Sequence, residues 1–170
     1  MRGLHYFLAG MILTMLPSVV RAAPTSVPEP TLCSAKEQII FSCATGRQKI
    51  VSLCASGDLK QSGGRVQYRF GKPGNIELSY PEKTEAWKEL FTFSAHGFSG
   101  GGEYHIRFVN NAFEYLLYDQ ETRPQENSGL LVRNNGKVVS HLKCVDGAHS
   151  FISHLAFESM KREPYGEDVP

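Results

Sequence analysis

Val66, Tyr68 and Phe70 alternate with Arg65, Gln67 and Arg69, and a repeat of two leaves little freedom in local structure. Successive side chains of an extended chain point to opposite faces, so this stretch is a strand with one apolar and one polar face. The same spacing returns along the chain. Ile39, Phe41 and Cys43 alternate with Gln38, Ile40 and Ser42; Ile76, Leu78 and Tyr80 with Asn75, Glu77 and Ser79; Tyr104, Ile106 and Phe108 with Glu103, His105 and Arg107. Lys49 to Ala55, Leu90 to Ala95, Phe113 to Tyr118, Leu130 to Arg133 and Val138 to Cys144 read as further strands. Turn-forming residues separate them: Ala44 to Arg47, Gly71 to Gly74, Asn110-Asn111 and Asn134 to Gly136. Two connections are longer, Ser56 to Gly64 and the polar stretch Asp119 to Asn127, and Pro81 to Lys88 has room for a helical turn. Near the end, Phe151, Leu155 and Ile152 recur at helical spacing within Ser150 to Lys161. The expected fold class is all-β: a small antiparallel β-barrel or sandwich of about eight strands, with a short C-terminal helix and two disulfides.

The first 22 residues have the layout of an export signal. Arg2 is followed by an apolar run from Phe7 to Val20, and Val20-Arg21-Ala22 supplies small residues at the positions signal peptidase reads. The run is short for a membrane span and is soon followed by Pro24, Pro28 and Pro30. The expected organisation is therefore a signal peptide over 1–22, a loose mature N-terminus over 23–32, one β domain over 33–162 and a loose tail over 163–170. Cleavage leaves 148 of the 170 residues, enough for a single core, and reduces the 18 basic residues to 16 against 17 acidic ones. A mature charge near −1 gives no electrostatic footprint for nucleic acid. A periplasmic or secreted location follows, with no membrane span after cleavage.

All four cysteines, Cys33, Cys43, Cys54 and Cys144, lie after the leader, and an even number in an exported chain reads as two disulfides. Three pairings are open. Cys43 and Cys144 each end an apparent strand, so joining them ties the two ends of the sheet and leaves Cys33 with Cys54; this pairing is preferred. A metal site is not expected, because there is no CxxC, HxxxH or HExxH and only His141 lies near a cysteine. No other cofactor is indicated.

Gly97-Phe98-Ser99-Gly100-Gly101 matches the G-x-S-x-G pattern of serine hydrolases. That pattern needs a strand before the serine and a helix after it, and here strands flank both sides. A trypsin-like arrangement needs its histidine and aspartate well upstream, and His96, next to the motif, is the only histidine before Ser99 in the mature chain. Glu77, Glu103, Glu114 and Asp119 sit beside apolar strand positions, as expected of a solvated face. The residues thus point to a non-enzymatic binding role. Four glycines around Ser99, at 97, 100, 101 and 102, make either a plain turn or a loop that approaches a partner closely.

An exported, disulfide-tied β-meander with the stretch Ser99-Gly100-Gly101-Gly102-Glu103-Tyr104 resembles the periplasmic and membrane-bound inhibitors of c-type lysozyme. The resemblance implies an eight-stranded barrel whose Ser-Gly-x-x-Tyr-like loop enters the lysozyme cleft and occupies its catalytic carboxylates. It also implies that Cys43–Cys144 is the barrel-closing bridge. Three residues rather than two separate Gly100 from Tyr104, and Glu103 takes a place where the family tends to carry a basic or neutral residue. On this basis the expected partner-binding residues are Ser99, Gly100, Gly101, Gly102, Glu103, Tyr104 and Arg107. Tyr104 anchors the loop base, Arg107 pairs with Glu103 or the target, and Glu103, His105 and Arg107 face outward. The partner the resemblance implies is a lysozyme-like hydrolase. Alternatives are an immunity protein that neutralises a toxin delivered to the periplasm, a small exported hydrolase with a polar cleft, and an envelope structural protein with a broad apolar patch.

Overall fold

The computed structural model of the protein describes residues 30–59, 63–83, 87–122, 126–145 and 147–166. The expected signal peptide and the Pro-rich segment up to residue 29 lie outside the described residues. The chain folds into two sheets. The first is built from the meander β1 (Gln38–Thr45), β2 (Lys49–Ser56), β3 (Arg65–Lys72) and β4 (Asn75–Tyr80). The second is built from β5 (Phe91–Phe98), β6 (Gly101–Asn110), β7 (Phe113–Thr122), β8 (Glu126–Asn134) and β9 (Lys137–Lys143). Two short C-terminal strands extend the outer edges. β10 (His149–Ser150) pairs antiparallel with β1, and β11 (Lys161–Arg162) pairs parallel with β5. The result is all-β, as the alternation indicates, and of the two closures it is sandwich-like rather than a closed barrel. Among the described residues nine strands of six residues or more carry the two sheets.

The inward faces follow the period of two. Phe41, Val51, Leu53, Val66, Tyr68, Phe91, Phe93, Ile106, Phe108, Leu117 and Leu130 form one buried cluster. Its centre is aromatic: Phe108 stacks on Tyr115 at 4.7 Å and on Tyr80 at 5.0 Å, and Tyr68 and Phe91 pack within 5.3 Å of it. Such ring pairs add to plain area burial.

Turn chemistry matches the residues found. Asn135 and Gly136 both have positive φ between β8 and β9, and Asn111 (φ 55) opens the β6–β7 turn, one residue later than Asn110-Asn111 suggests. The stretch Asp119 to Asn127 is not a long loop: β7 runs to Thr122 and β8 begins at Glu126. Asp119 is buried there because Ser128, paired with it across the strands, donates a hydrogen bond of 2.7 Å to its carboxylate.

The C-terminal helical segment is shorter and turned differently from the expectation. A π-helical turn, Ile152–Ala156, leads into one α turn, Phe157–Ser159. Ile152, Ala156 and Met160 are buried at spacings of four, while Phe151 is exposed. The short helix α1 (Trp87–Leu90) ends the region expected to hold a helical turn, and the Trp87 indole donates to the Gly64 carbonyl at 2.7 Å.

The structure pairs Cys43 with Cys144 and Cys33 with Cys54. The first bridge joins β1 of one sheet to the residue after β9 of the other, where Thr45 and Cys144 also form a β-bridge. The second ties the N-terminal segment to β2. Residues 30–32, expected to be loose, are held: Ser42 donates to the Pro30 carbonyl at 2.8 Å and Leu32 N–H donates to Ser52 Oγ at 2.9 Å. Glu37 fixes the same segment through a two-pronged pair with Arg69, at 2.7 and 2.8 Å. Burial pushes the Glu37 carboxyl up, but Arg69 and the Ser34 N–H outweigh it and hold the group below its usual range. Both bridges are of a kind that persists in oxidising compartments. Among the described residues no helix is long and apolar enough to cross a membrane.

Candidate functional site

The glycine-serine stretch is a tight hairpin rather than an open loop. β5 and β6 pair without a break out to Phe98↔Gly101, leaving Ser99 and Gly100 as the two-residue turn, with Gly100 at φ +95. Ala95, His96 and Gly97 on one strand, and Ser99, Gly100 and Gly101 at the tip, are exposed. The hairpin tip is therefore exposed at one end of the second sheet. It stays rigid because β6 continues to pair with β7 as far as Gly101↔Thr122.

The glycines have separate physical reasons. A Cβ on Gly101 would lie 1.8 Å from the Glu121 carbonyl oxygen, so this glycine lets β7 pass within its own sheet. Gly102 is buried; a Cβ there would meet the Tyr104 hydroxyl at 2.9 Å, so its absence makes room for that ring. Tyr104 is half-buried and packs against the core, anchoring the base of the hairpin. Burial, with the negative charges of Glu121 and Asp119, pushes its phenol up.

Glu103, His105 and Arg107 share the opposite face of β6, facing His96, Ser94 and Thr92 of β5 in register. This face is not open to solvent. His105 is fully buried, contrary to the expectation from alternation, because β11 and the residues after it lie along this side. His105 Nε2 donates to Glu103 at 2.8 Å, and the Tyr165 hydroxyl donates to the other oxygen of Glu103 at 2.8 Å. The Tyr165 ring stacks on His96 at 4.9 Å and on His105 at 5.2 Å. Glu163 accepts from Arg107 at 2.9 Å and from Thr92 at 2.7 Å. The start of the tail, residues 163–166, is thus docked rather than loose. Arg107 pairs with Glu163 and Glu114, neither of them the expected partner.

Across β6 the chain of polar groups continues. Tyr118, opposite His105, places its hydroxyl 2.8 Å from His141 Nε2. Burial, reinforced by the charge of Glu103, raises the Tyr118 phenol to about 12. Burial and then Lys143 lower His141, which favours its neutral form. Ser94 Oγ and His105 Nδ1 are both buried, lie on directly opposed residues, and have no hydrogen-bond partner among the described residues. Serine, histidine and glutamate thus share one face, yet no bond links the serine to the imidazole. Ser99 sits on a strand-to-strand turn, outside the context a hydrolase nucleophile requires. Among the described residues no set of three histidine, cysteine, aspartate or glutamate side chains could hold a metal ion.

The docked tail has a measurable consequence. Tyr165→Ala removes a hydrogen bond to a largely buried carboxylate and the ring that roofs His105. The expected loss is about 1–2 kcal/mol. Urea denaturation reads the loss, and hydrogen exchange reads faster opening of the Ser94 and His105 amides. An unchanged midpoint with unchanged exchange would show that the tail rests on the sheet without supporting it.

The sequence signals for the tip, Ser99 and Gly100, lie where the hairpin presents them. Glu103, Tyr104 and Arg107 are placed in the supporting structure instead. Tyr118, Glu163 and Tyr165 were not singled out from the sequence, His141 was weighed only as a metal ligand, and His105 was expected to face outward from the alternation on β6. Comparison with protein-family models, with curated proteins and with solved structures finds no match to this chain.

Proposed function

We propose that the protein is an exported, periplasmic binding protein that stops a cell-wall hydrolase of the lysozyme type by inserting the β5–β6 hairpin into its cleft. The observation that carries this reading is the hairpin end. Its tip, Ser99-Gly100-Gly101, is small and exposed, the β5 residues leading to it are exposed from Ala95 to Gly97, and it is held by continuous pairing to β7. A projection already ordered before binding loses little entropy when it enters a cleft. The Ser99 hydroxyl and the tip N–H groups are the donors available to ionised carboxylates in the target. Glu103 is a like charge within the stretch, but its carboxylate is turned to His105 and Tyr165 and so does not oppose such a target. Export rests on the leader sequence and is consistent with both disulfides.

Residual muramidase activity of a c-type lysozyme, measured against a dose series of the oxidised protein, tests the reading. Ser99 is exposed at the tip, so Ser99→Trp leaves the fold intact by circular dichroism and blocks entry, and inhibition is lost. Ser99→Ala weakens inhibition by about 1–3 kcal/mol if its hydroxyl meets a buried carboxylate. Gly101 is unsuited to this test, since any side chain there collides with β7. Absence of inhibition by the parent, or inhibition by Ser99→Trp equal to the parent's, would overturn the reading. In the first case capture of a periplasm-directed toxin becomes the alternative to assay.

A further inference from the structure

A cavity of about 380 Å³ opens between the sheets on the side of β8 and β9. Protein interiors close-pack, and a space of this size is large for an unfilled core but within the range of small-molecule sites. Phe70, Phe113, Tyr115, Leu130 and Val132 supply an apolar lining. Tyr68 and Tyr115 also line it, and burial pushes both phenols up, so they stand as neutral hydroxyls near one another. Among the described residues no carboxylate lines the space. Its two cations, Arg47 and Lys49, come from the β1–β2 turn. Lys49 pairs with Glu77 and lies over the Phe70 ring at 5.8 Å. Arg47 is exposed and has no ion-pair partner among the described residues. Arg47 and Gln48 take φ of 63 and 59, a left-handed conformation unfavourable for residues with side chains, and this turn sets Arg47 beside the cavity.

We infer that this cavity binds a single-chain amphiphile with a carboxylate head, its alkyl chain between the sheets and its head at Arg47. Aromatic and aliphatic walls suit an unbranched chain, which gains by leaving water. A guanidinium with no ion-pair partner among the described residues, beside a described lining without acids, selects an anionic head over a neutral or cationic one. The site is independent of the hairpin. Tyr115 and Thr122 stand seven residues apart on β7, roughly 23 Å at strand rise, and Thr122 is the residue that pairs with Gly101.

Calorimetric titration of the oxidised protein with laurate, dodecanol and dodecyltrimethylammonium, each below its aggregation limit, tests the inference. Laurate binds saturably at one per chain, dodecanol roughly ten-fold more weakly and the ammonium compound more weakly still. Arg47→Gln, at an exposed position that leaves the fold unchanged, reduces laurate to the level of dodecanol and leaves dodecanol unaffected. Ser140→Trp, filling the space from β9, abolishes both. No saturable laurate binding, equal binding of all three probes, or an unchanged laurate affinity in Arg47→Gln would each overturn the assignment. So would unchanged laurate binding by a folded Ser140→Trp.

Discussion

Replacing Cys43 and Cys144 together by alanine lowers the stability of the fold by about 4–5 kcal/mol, the larger of the two disulfide effects. The bridge spans a sequence separation of 101 residues, and cross-linking restricts the unfolded chain more as the closed loop lengthens. The Cys33–Cys54 bridge spans 21 residues, for which the same relation gives about 3 kcal/mol. The long bridge also has the greater structural reach. Cys43 is buried in β1 of the first sheet and Cys144 follows β9, the edge strand of the second, so this link ties the two sheets together. Urea denaturation of the two double-alanine variants separates them. The Cys43/Cys144 variant unfolds at the lower midpoint and is the more susceptible to proteolysis between β9 and β10. Equal midpoints, or a larger loss from the short bridge, would contradict the loop-length account.

How much of this was legible from the residues depends on how far each cause lies along the chain. The strands were legible because their cause is local: Val66, Tyr68 and Phe70 carry their own period of two, and Asn135-Gly136 carries its own turn preference. His105 was not. Alternation assigns it to the solvent face, and the ring that covers that face, Tyr165, arrives 60 residues later in the sequence. Asp119 was misplaced for a similar reason. A carboxylate in a polar stretch reads as loop until Ser128, on the next strand, is known to satisfy it.

Gly101 shows a different limit. Its lack of a side chain does signal a close approach, but sequence does not say whether a partner or the chain itself approaches. Here it is the carbonyl of Glu121. The tip, Ser99-Gly100, was legible as a turn and as an exposed element. Its role depends on the rigid support from β7, which only the register reveals.

The second large effect is expected at the aromatic centre. Phe108→Ala costs about 4 kcal/mol, from the lost transfer of the ring and the space it leaves. Phe108 is 2% exposed and packs against rings on both sheets: Tyr68 and Tyr80 from the first, Phe91 and Tyr115 from the second. Four rings pack directly on it, so the gap collapses little and the cost stays near the upper part of the range for such deletions. The variant also separates fold from function. Tyr68 and Tyr115 line the cavity beside Arg47, so loss of the ring between them loosens that space and weakens laurate binding. The hairpin tip lies at the other end of β6 and keeps its pairing with β7. Measured at a temperature where the variant remains folded, laurate affinity therefore falls while dose-dependent inhibition of lysozyme is retained. A loss below about 1.5 kcal/mol by denaturation would mean that neighbouring rings close the gap, and the sandwich would then be less tightly fixed at its centre than its packing indicates.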